Sequence, residues 1–269
     1  MLRIHHRQFF EVLVLNIVVS AAFGYQSVVL YPFIRSLRKV HKDRVAFLIR
    51  PNQVGEMEGF AKDYGVELVV CEHSWHAAPE INRYFAALDF LRRTQDVDGV
   101  FLTDSRDVIF QGSPFLSGDY LYLYTEPVKI RECPFNGNWI RHYYGDVVYE
   151  QIADNPVLCS GTTLGSYGRV LEYLEIMCAE MKEKLSQNYA YLVGADQGIH
   201  FYKFYTGGIP GAVVREHGYS EVQTLHYEKK FLFSKDGFLL NVDGSVVPVV
   251  HQYDRHSQFW PLFERMINR

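Results

Sequence analysis

Apolar runs of strand length alternate with helical spacing across the first 115 residues, and this alternation restricts the fold more than any other feature. Val12 to Phe23 is apolar and β-branched around Ile17-Val18-Val19. With the basic Met1–Arg7 segment before it, the run imitates a signal peptide. It is too short for a membrane span, which needs roughly 20 apolar residues, and Asn16 and the β-branched content suit a first core strand. Ser27 to Val40 follows with Leu30, Phe33, Ile34 and Leu37 on one helical face. Asp43–Ile49, closed by Pro51, reads as a second strand, Val54–Tyr64 as a helix ended by Gly65, and Glu67–Cys71 as a third strand. Glu80 to Arg93 is helical, with Ile81, Tyr84, Phe85, Leu88 and Leu91 apolar, and it leads into a strand at Val100–Leu102. A β-α-β-α-β series with short turns argues for a parallel, doubly wound sheet. Right-handed crossovers then gather the strand ends on one edge.

The second half is mixed. Tyr120–Tyr124 reads as a short strand, and Lys129–Tyr144 as a loop rich in turn formers, Pro134-Phe135-Asn136-Gly137-Asn138-Trp139. That loop suits a lid, an acceptor-facing loop or a surface loop pinned by Trp139. Asn155–Leu164 predicts a strand running into a small-residue turn at Ser160-Gly161, and Tyr167–Leu185 an amphipathic helix. Gly194-Ala195-Asp196-Gln197-Gly198 opens a helix through Phe204. Phe231–Val250 reads as hairpins turning at Lys235-Asp236-Gly237 and Asp243-Gly244. The last strand, Val246–Val250, leads into His251, and a helix over Phe259–Ile267 closes the chain. No repeat, low-complexity run or linker divides the 269 residues, so one domain is the economical count. Net charge is −4, so nothing suggests an electrostatic nucleic-acid binder. Cys71, Cys133, Cys159 and Cys178 show no metal-binding spacing, and a reduced, cytoplasmic protein is the simplest reading.

Chemistry concentrates at Thr103-Asp104-Ser105-Arg106-Asp107. The strand before it delivers Asp104 and Asp107 to its C-terminal end, with Arg106 between them. Open α/β sheets bind ligands outside such strand ends. Two hard oxygen ligands there suit Mg2+ or Mn2+ against the phosphates of a substrate, although Asp and Ser also serve as plain caps and turns. His251, after a late strand, offers an imidazole to complete a two-carboxylate site. The aromatic content, with 19 Tyr and 19 Phe, is high enough to supply a cleft with ring faces for sugars or bases as well as a core. Glu72, His73 and His76 form a second group of potential ligands that follows a strand, and His5-His6 reads as a polar terminus.

Asp104 with Asp107, Ser160-Gly161, Asp196-Gln197 and His251 together resemble the GT-A glycosyltransferases. In that superfamily a nucleotide-binding half ends in Asp-x-Asp, and here Leu102-Thr103-Asp104-Ser105-Arg106-Asp107-Val108-Ile109-Phe110 before Pro114-Phe115 departs from it by one residue. The resemblance implies that Asp107 is the chelating Asp and that Asp104 stands for the first. Arg83 matches an Arg of glycogenin-like members that contacts the donor, and Cys159-Ser160-Gly161 looks like their Asn-Ser-Gly. Asp196-Gln197 looks like their Asp-Gln pair facing the donor sugar, and Val250-His251 like the strand and His that complete the metal site. The implied fold is an α/β, single GT-A-like domain over 1–269. Its Rossmann-like, mostly parallel central sheet is flanked by helices, with a small antiparallel portion in the C-terminal half. Residues 1–115 would bind nucleotide and 116–269 sugar and acceptor. The implied metal ligands are Asp104, Asp107 and His251 for Mn2+ or Mg2+. The donor would meet Gly24, Tyr25, Arg83, Asp104, Arg106, Ser160 and Gly161, and Asp196 and Gln197 would be catalytic. The implied partners are a nucleotide-sugar donor and a glycan or glycolipid acceptor, with no nucleic acid and no transmembrane segment, though with room for peripheral membrane contact. The glycogenin-like pattern leans towards retention of configuration.

Two other functions share these residues. Nucleotidyltransferases of the same fold resemble one another in a Gly-rich first loop with a basic residue, whereas Ala21-Ala22-Phe23-Gly24-Tyr25 has one Gly and no Lys or Arg. A non-catalytic carbohydrate-binding protein need not keep metal-ligand types at three separate places. A dinucleotide-binding GxGxxG is absent after the first strand.

Overall fold

The computed structural model describes residues 15–72, 78–187 and 194–268. The early elements follow the alternation: β1 (Asn16–Ala21), α1 (Ser27–Val40), β2 (Arg44–Ile49), α2 (Val54–Tyr64), β3 (Glu67–Val70), α3 (Pro79–Leu91) and β4 (Gly99–Thr103). Beyond them lie β5 (Val108–Phe110), β6 (Leu121–Lys129), α4 (Pro134–Ile152), β7 (Pro156–Ser166), α5 (Tyr167–Ser186) and α6 (Ala195–Tyr205). The chain continues through β8 (Val213–Arg215), β9 (Val222–Thr224), β10 (Leu232–Phe233), β11 (Leu239–Leu240), β12 (Val249–His251) and α7 (Trp260–Asn268).

The result is a mixed α/β fold. Seven strands form the central sheet in the order β3-β2-β1-β4-β7-β6-β8. β7 runs antiparallel to both of its neighbours, and every other pairing is parallel. Parallel strands covered on both faces must be apolar on both, which is why β1 and β2 read as unbroken apolar runs. Ile17 and Val19 join Leu48 in the core beneath α3, α5 and α6, while Val18 joins Phe47 and Ile49 beneath α1 and α2. A smaller sheet, β5-β12-β9, pairs β12 antiparallel to β5 and parallel to β9, and a third core with α7 packs on it. β10 and β11 form the expected hairpin. Strands of the central sheet come from both halves of the chain.

Two expectations need correction. Lys129–Tyr144 is not a loop: β6 extends to Lys129, and a helix starts at Pro134, interrupted only at Gly145 with φ 84°. Proline suits a first helical turn, where its missing N–H is no loss, and Asn136, Gly137, Ile140 and Tyr143 are buried rather than presented to solvent. Gly137 is there because the Tyr149 ring lies 3.1 Å from where a Cβ would stand. Ser160-Gly161 is not a turn either, because β7 continues through it to Ser166. The first-strand reading holds over Asn16–Ala21, while Val12–Val14, His5-His6 and the pair His73 and His76 lie outside the described residues. Among the described residues no helix is long and apolar enough to cross a membrane.

β3 lies on one side of β1 and β4 on the other, so the crevice at the C-terminal ends of β1 and β4 is the topological switch point. Side chains fasten it. Ser20 Oγ donates to Thr103 O at 2.7 Å and Ser105 Oγ to Ala21 O at 2.9 Å. The turn after β1 is held by Gln53, which is 6% exposed. Its Oε1 accepts from Gly24 N and Arg50 N at 2.9 Å, and its Nε2 donates to Ala22 O and Tyr25 O at 2.8 Å. Gly24, at φ 79°, supplies the left-handed residue of that turn. Gln53→Ala removes four hydrogen bonds to the backbone of this turn and is expected to cost about 2–3 kcal/mol in urea unfolding. An unchanged midpoint would show that the turn holds itself.

Candidate metal centre and ligand cleft

Three elements deliver the cluster. Asp104 follows β4, Asp107 precedes β5, and His251 ends β12. Val108 pairs with His251 in the small sheet, which sets Asp107 beside the imidazole, and Gln252 N donates to Asp107 O at 2.7 Å. One ligand atom from each of Asp104, Asp107 and His251 lies within 4.8 Å of the others. His251 Nε2 is 3.3 Å from Asp104 Oδ2 and 3.7 Å from Asp107 Oδ1. It is buried and lacks the alignment of a hydrogen bond to either. Gly161 backs the cluster: a Cβ there would stand 2.6 Å from Asp104 Oδ2 and 2.6 Å from His251 Cε1. One nitrogen and two carboxylates converging on a shared point, with an orphaned imidazole nitrogen among them, can hold a divalent cation.

Charge binds this group to a second. Arg83, on α3, donates through Nη1 to Asp104 Oδ1 and through Nη2 to Asp196 Oδ2 at 2.7 Å and Ser160 O at 3.2 Å. Asp196 and Gln197 sit in the first turn of α6, after Gly194 in a left-handed conformation (φ 72°). A carboxylate suits that turn. Ser160 Oγ donates to Asp196 Oδ2 at 2.9 Å, and Gln197 Nε2 donates to Asn136 Oδ1 at 3.0 Å. Arg106 reaches Asp107 at 3.6 Å and Asp254 at 3.3 Å, and Arg255 reaches Asp107 at 3.4 Å. Gln252 adopts φ 56°, rare for a residue with a side chain, and so aims Arg255 back at the cluster.

Burial and neighbours set the protonation states. Burial works to raise the Asp104 carboxyl, but Arg83 and His251 together hold it well below the usual carboxylate range. Asp107 is pushed up by burial, helped by Asp104 and opposed by His251. Burial disfavours the His251 imidazolium, yet Cys159, Asp104 and Asp107 outweigh it and hold the ring proton above the ordinary histidine range. A cation at Nε2 therefore competes with a proton.

The cleft has a volume of about 460 Å3. Of the sequence-derived candidates, Tyr25, Arg83, Asp104, Arg106, Asp107, Ser160, Asp196 and Gln197 line it. Gly161 and His251 stand behind it as described, and the Gly24 amide is engaged by Gln53. Arg255, which its place four residues after His251 puts near the site, lines the cleft as well; sequence reasoning missed Gln252, Phe23 and Glu80, which also line it, and it assigned Trp139 to a loop. The Trp139 ring lines the cleft and occupies the place a side chain at Gly194 would need.

Glu126 on β6, a buried carboxylate, was also missed. Burial pushes it up to about 7, opposed by His251, Cys159 and Gln197, which favour its charged form. Its only signal was a lone carboxylate in the mostly aromatic and apolar run Leu121–Pro127. All four cysteines are buried and unpaired. Burial, with a smaller push from Asp89, raises the Cys71 thiol to about 11 and the Cys178 thiol to about 12, which fits inert core residues. Cys159 differs, with Sγ 3.3 Å from His251 Nδ1.

No protein-family model matches this chain, and no curated protein matches it in sequence.

Gly161→Ala is expected to force Asp104 and His251 apart, weakening Mn2+ binding while costing about 1–3 kcal/mol of overpacking. Mn2+ titration and urea unfolding check both parts, and full metal affinity would show that the backing is loose. Glu126 has a raised folded-state pKa, so its stabilising neutral form is complete below pH ~4.5 and is lost as pH climbs through about 7. Unfolding of metal-free protein is therefore expected to show the stability of Glu126→Gln gaining on wild type by about 3 kcal/mol between pH 4 and 8. A constant difference would place the carboxyl in contact with water.

Proposed function

We propose that the chain is a metal-dependent glycosyltransferase. It would move a sugar from a nucleotide-diphosphate donor, with a UDP-sugar favoured, to a hydroxyl of a glycan or glycolipid. The observation that carries this reading is that Asp104 and Asp107, backed by His251, share one cleft with the Arg83–Asp196 pair. A cation site therefore adjoins a polar wall suited to a sugar. The cleft volume falls within the roughly 300–1,000 Å3 of small-molecule sites, and Phe23, Tyr25 and Trp139 supply ring faces.

The donor set supports Mn2+ over Mg2+, since Mg2+ prefers an all-oxygen octahedron and one ligand here is an imidazole. When bound, the cation supplies Lewis-acid neutralisation of the charge that grows on the diphosphate leaving group. The remaining work falls to the chain. Arg106 and Arg255, at the cleft side of Asp107, offer charge-assisted hydrogen bonds to phosphate oxygens. Asp196 keeps Oδ2 on Arg83 and Ser160, which leaves Oδ1 to accept from sugar hydroxyls. An inverting enzyme needs a carboxylate base at the acceptor hydroxyl. Asp196 is committed through Oδ2 to Arg83 and Ser160 rather than set free to act as that base, and this supports retention. The four free buried thiols support a reducing, cytoplasmic setting.

Thermal unfolding with UDP, GDP or CMP, each with Mn2+ or chelator, tests the proposal. One nucleoside diphosphate at a hundred times its Kd is expected to stabilise by about 2.7 kcal/mol with Mn2+ only. Asp107→Ala is expected to lose that gain, and slow donor hydrolysis without acceptor should accompany binding. Absence of any nucleotide response under every metal condition would sink the reading in favour of a carbohydrate-binding role.

A further inference from the structure

Asn136 and Trp139 stand three residues apart near the start of α4, a spacing that makes them neighbours on one helix face. Both meet the first turn of α6. A Cβ on Gly194 would collide with the Trp139 ring, and one on Gly198 would stand 3.2 Å from Trp139 Cβ. That close approach brings Asn136, which is buried, to Gln197. Asn136 Oδ1 accepts from Gln197 Nε2 at 3.0 Å, and its Nδ2 donates to the buried Cys133 Sγ at 3.1 Å. Tyr227 Oη meets the same sulfur at 3.0 Å.

One backbone group sets the direction of these bonds. Ser160 N–H can only donate, so the Gln197 atom that meets it at 3.3 Å is oxygen. Nε2 is thereby turned towards Asn136, and Asn136 must answer with its own oxygen. Ser160 passes the order on, donating through Oγ to Asp196 Oδ2 at 2.9 Å. A glutamine on a cleft wall has rotamer freedom to lose, and holding it still takes bonds at both ends of its amide. Ser160 supplies one end and Asn136 the other.

We propose that Asn136 is a positioning residue, which fixes the Gln197 amide and, through Gln197 and Ser160, the Asp196 carboxylate that faces the donor sugar. It lies one bond back from the cleft, on a helix that belongs to neither β7 nor α6. The inference deepens the glycosyltransferase reading and rests on it.

Asn136→Leu keeps the volume and removes the acceptor. Asn136→Asp keeps the acceptor, and the Cys133 thiol can turn to donate to its second oxygen. The first readout needs no ligand. In 1H–15N spectra of the full chain, the Gln197 side-chain amide is identified by its loss in Gln197→Met. Its exchange with solvent is expected to quicken by about 10-fold in Asn136→Leu, the protection one net hydrogen bond gives, and to stay slow in Asn136→Asp. The second readout is hydrolysis of UDP-glucose and UDP-galactose with Mn2+. Asn136→Leu is expected to lower kcat by about 100-fold, the scale of a small misplacement at the reacting centre, with KM held. Asn136→Asp should keep most of the rate even if the buried charge lowers its melting temperature. Mn2+-dependent binding of UDP, which lacks the sugar, should be alike in all three chains and shows that each is folded. A merely structural asparagine would not separate UDP binding from hydrolysis. Unchanged amide exchange in Asn136→Leu, a loss of hydrolysis that Asn136→Asp shares in full, or an equal loss of UDP binding would each overturn the inference while the glycosyltransferase reading stands. A wild-type chain that neither binds UDP with Mn2+ nor hydrolyses either donor overturns that reading and this inference together.

Discussion

The candidate site is held in register by one guanidinium. Arg83 is only 18% exposed on its side chain, and it ties Asp104 after β4, Ser160 in β7 and Asp196 in α6 to α3. Buried ion pairs add little net stability against an apolar replacement, yet breaking one by removing a partner is expensive, about 3–5 kcal/mol, because a charge is left behind unpaired. That asymmetry makes the arrangement rigid. Since Asp104 Oδ1 is committed to Arg83, Oδ2 is left facing His251, and since Asp196 shares the same guanidinium, the cation site and the polar wall cannot drift apart independently.

Backbone pairing supplies the remaining precision. The antiparallel register of β5 and β12 places His251 opposite Val108, and hence next to Asp107, although Asp107 and His251 are 144 positions apart in the chain. The parallel partner of His251 in β9 is Thr224, whose hydroxyl meets the other ring nitrogen. Gly161 completes the arrangement by having no side chain, which lets β7 pass close behind both ligands. Extended strands and a missing methyl group therefore define the cavity for a cation more firmly than loops would.

Legibility followed the kind of force involved. Helices α1 and α2 were readable to the residue at both ends, because apolar spacing and the Gly65 cap are local signals. Asp104, Asp107, Arg83, Ser160, Asp196 and His251 were singled out from residue types and from their order, and the structure gathers all six around one cleft. The helix over Pro134–Ile152 was hidden because its faces carry little amphipathic contrast, and Gly137 and Asn136 are chosen for close packing rather than for a turn. Ser160-Gly161 gave the same false signal, since small residues mark either a turn or a place where something else comes near. Gln53 and Glu126 were missed because a buried polar side chain is recognisable only by its partners, and those are distant in sequence.

Sequence by itself determined the parallel half of the sheet, the edge on which its ends gather and the residue types able to bind a cation. Those properties rest on periodicity and side-chain chemistry, which are written locally. Tertiary structure alone decided which oxygen of Asp104 faces His251, that Cys159 and Thr224 rather than a carboxylate meet the other imidazole nitrogen, and that Gln53 holds the turn after β1. Each depends on contacts between strands and helices far apart in the chain, where a few tenths of an ångström separate a hydrogen bond from an empty approach.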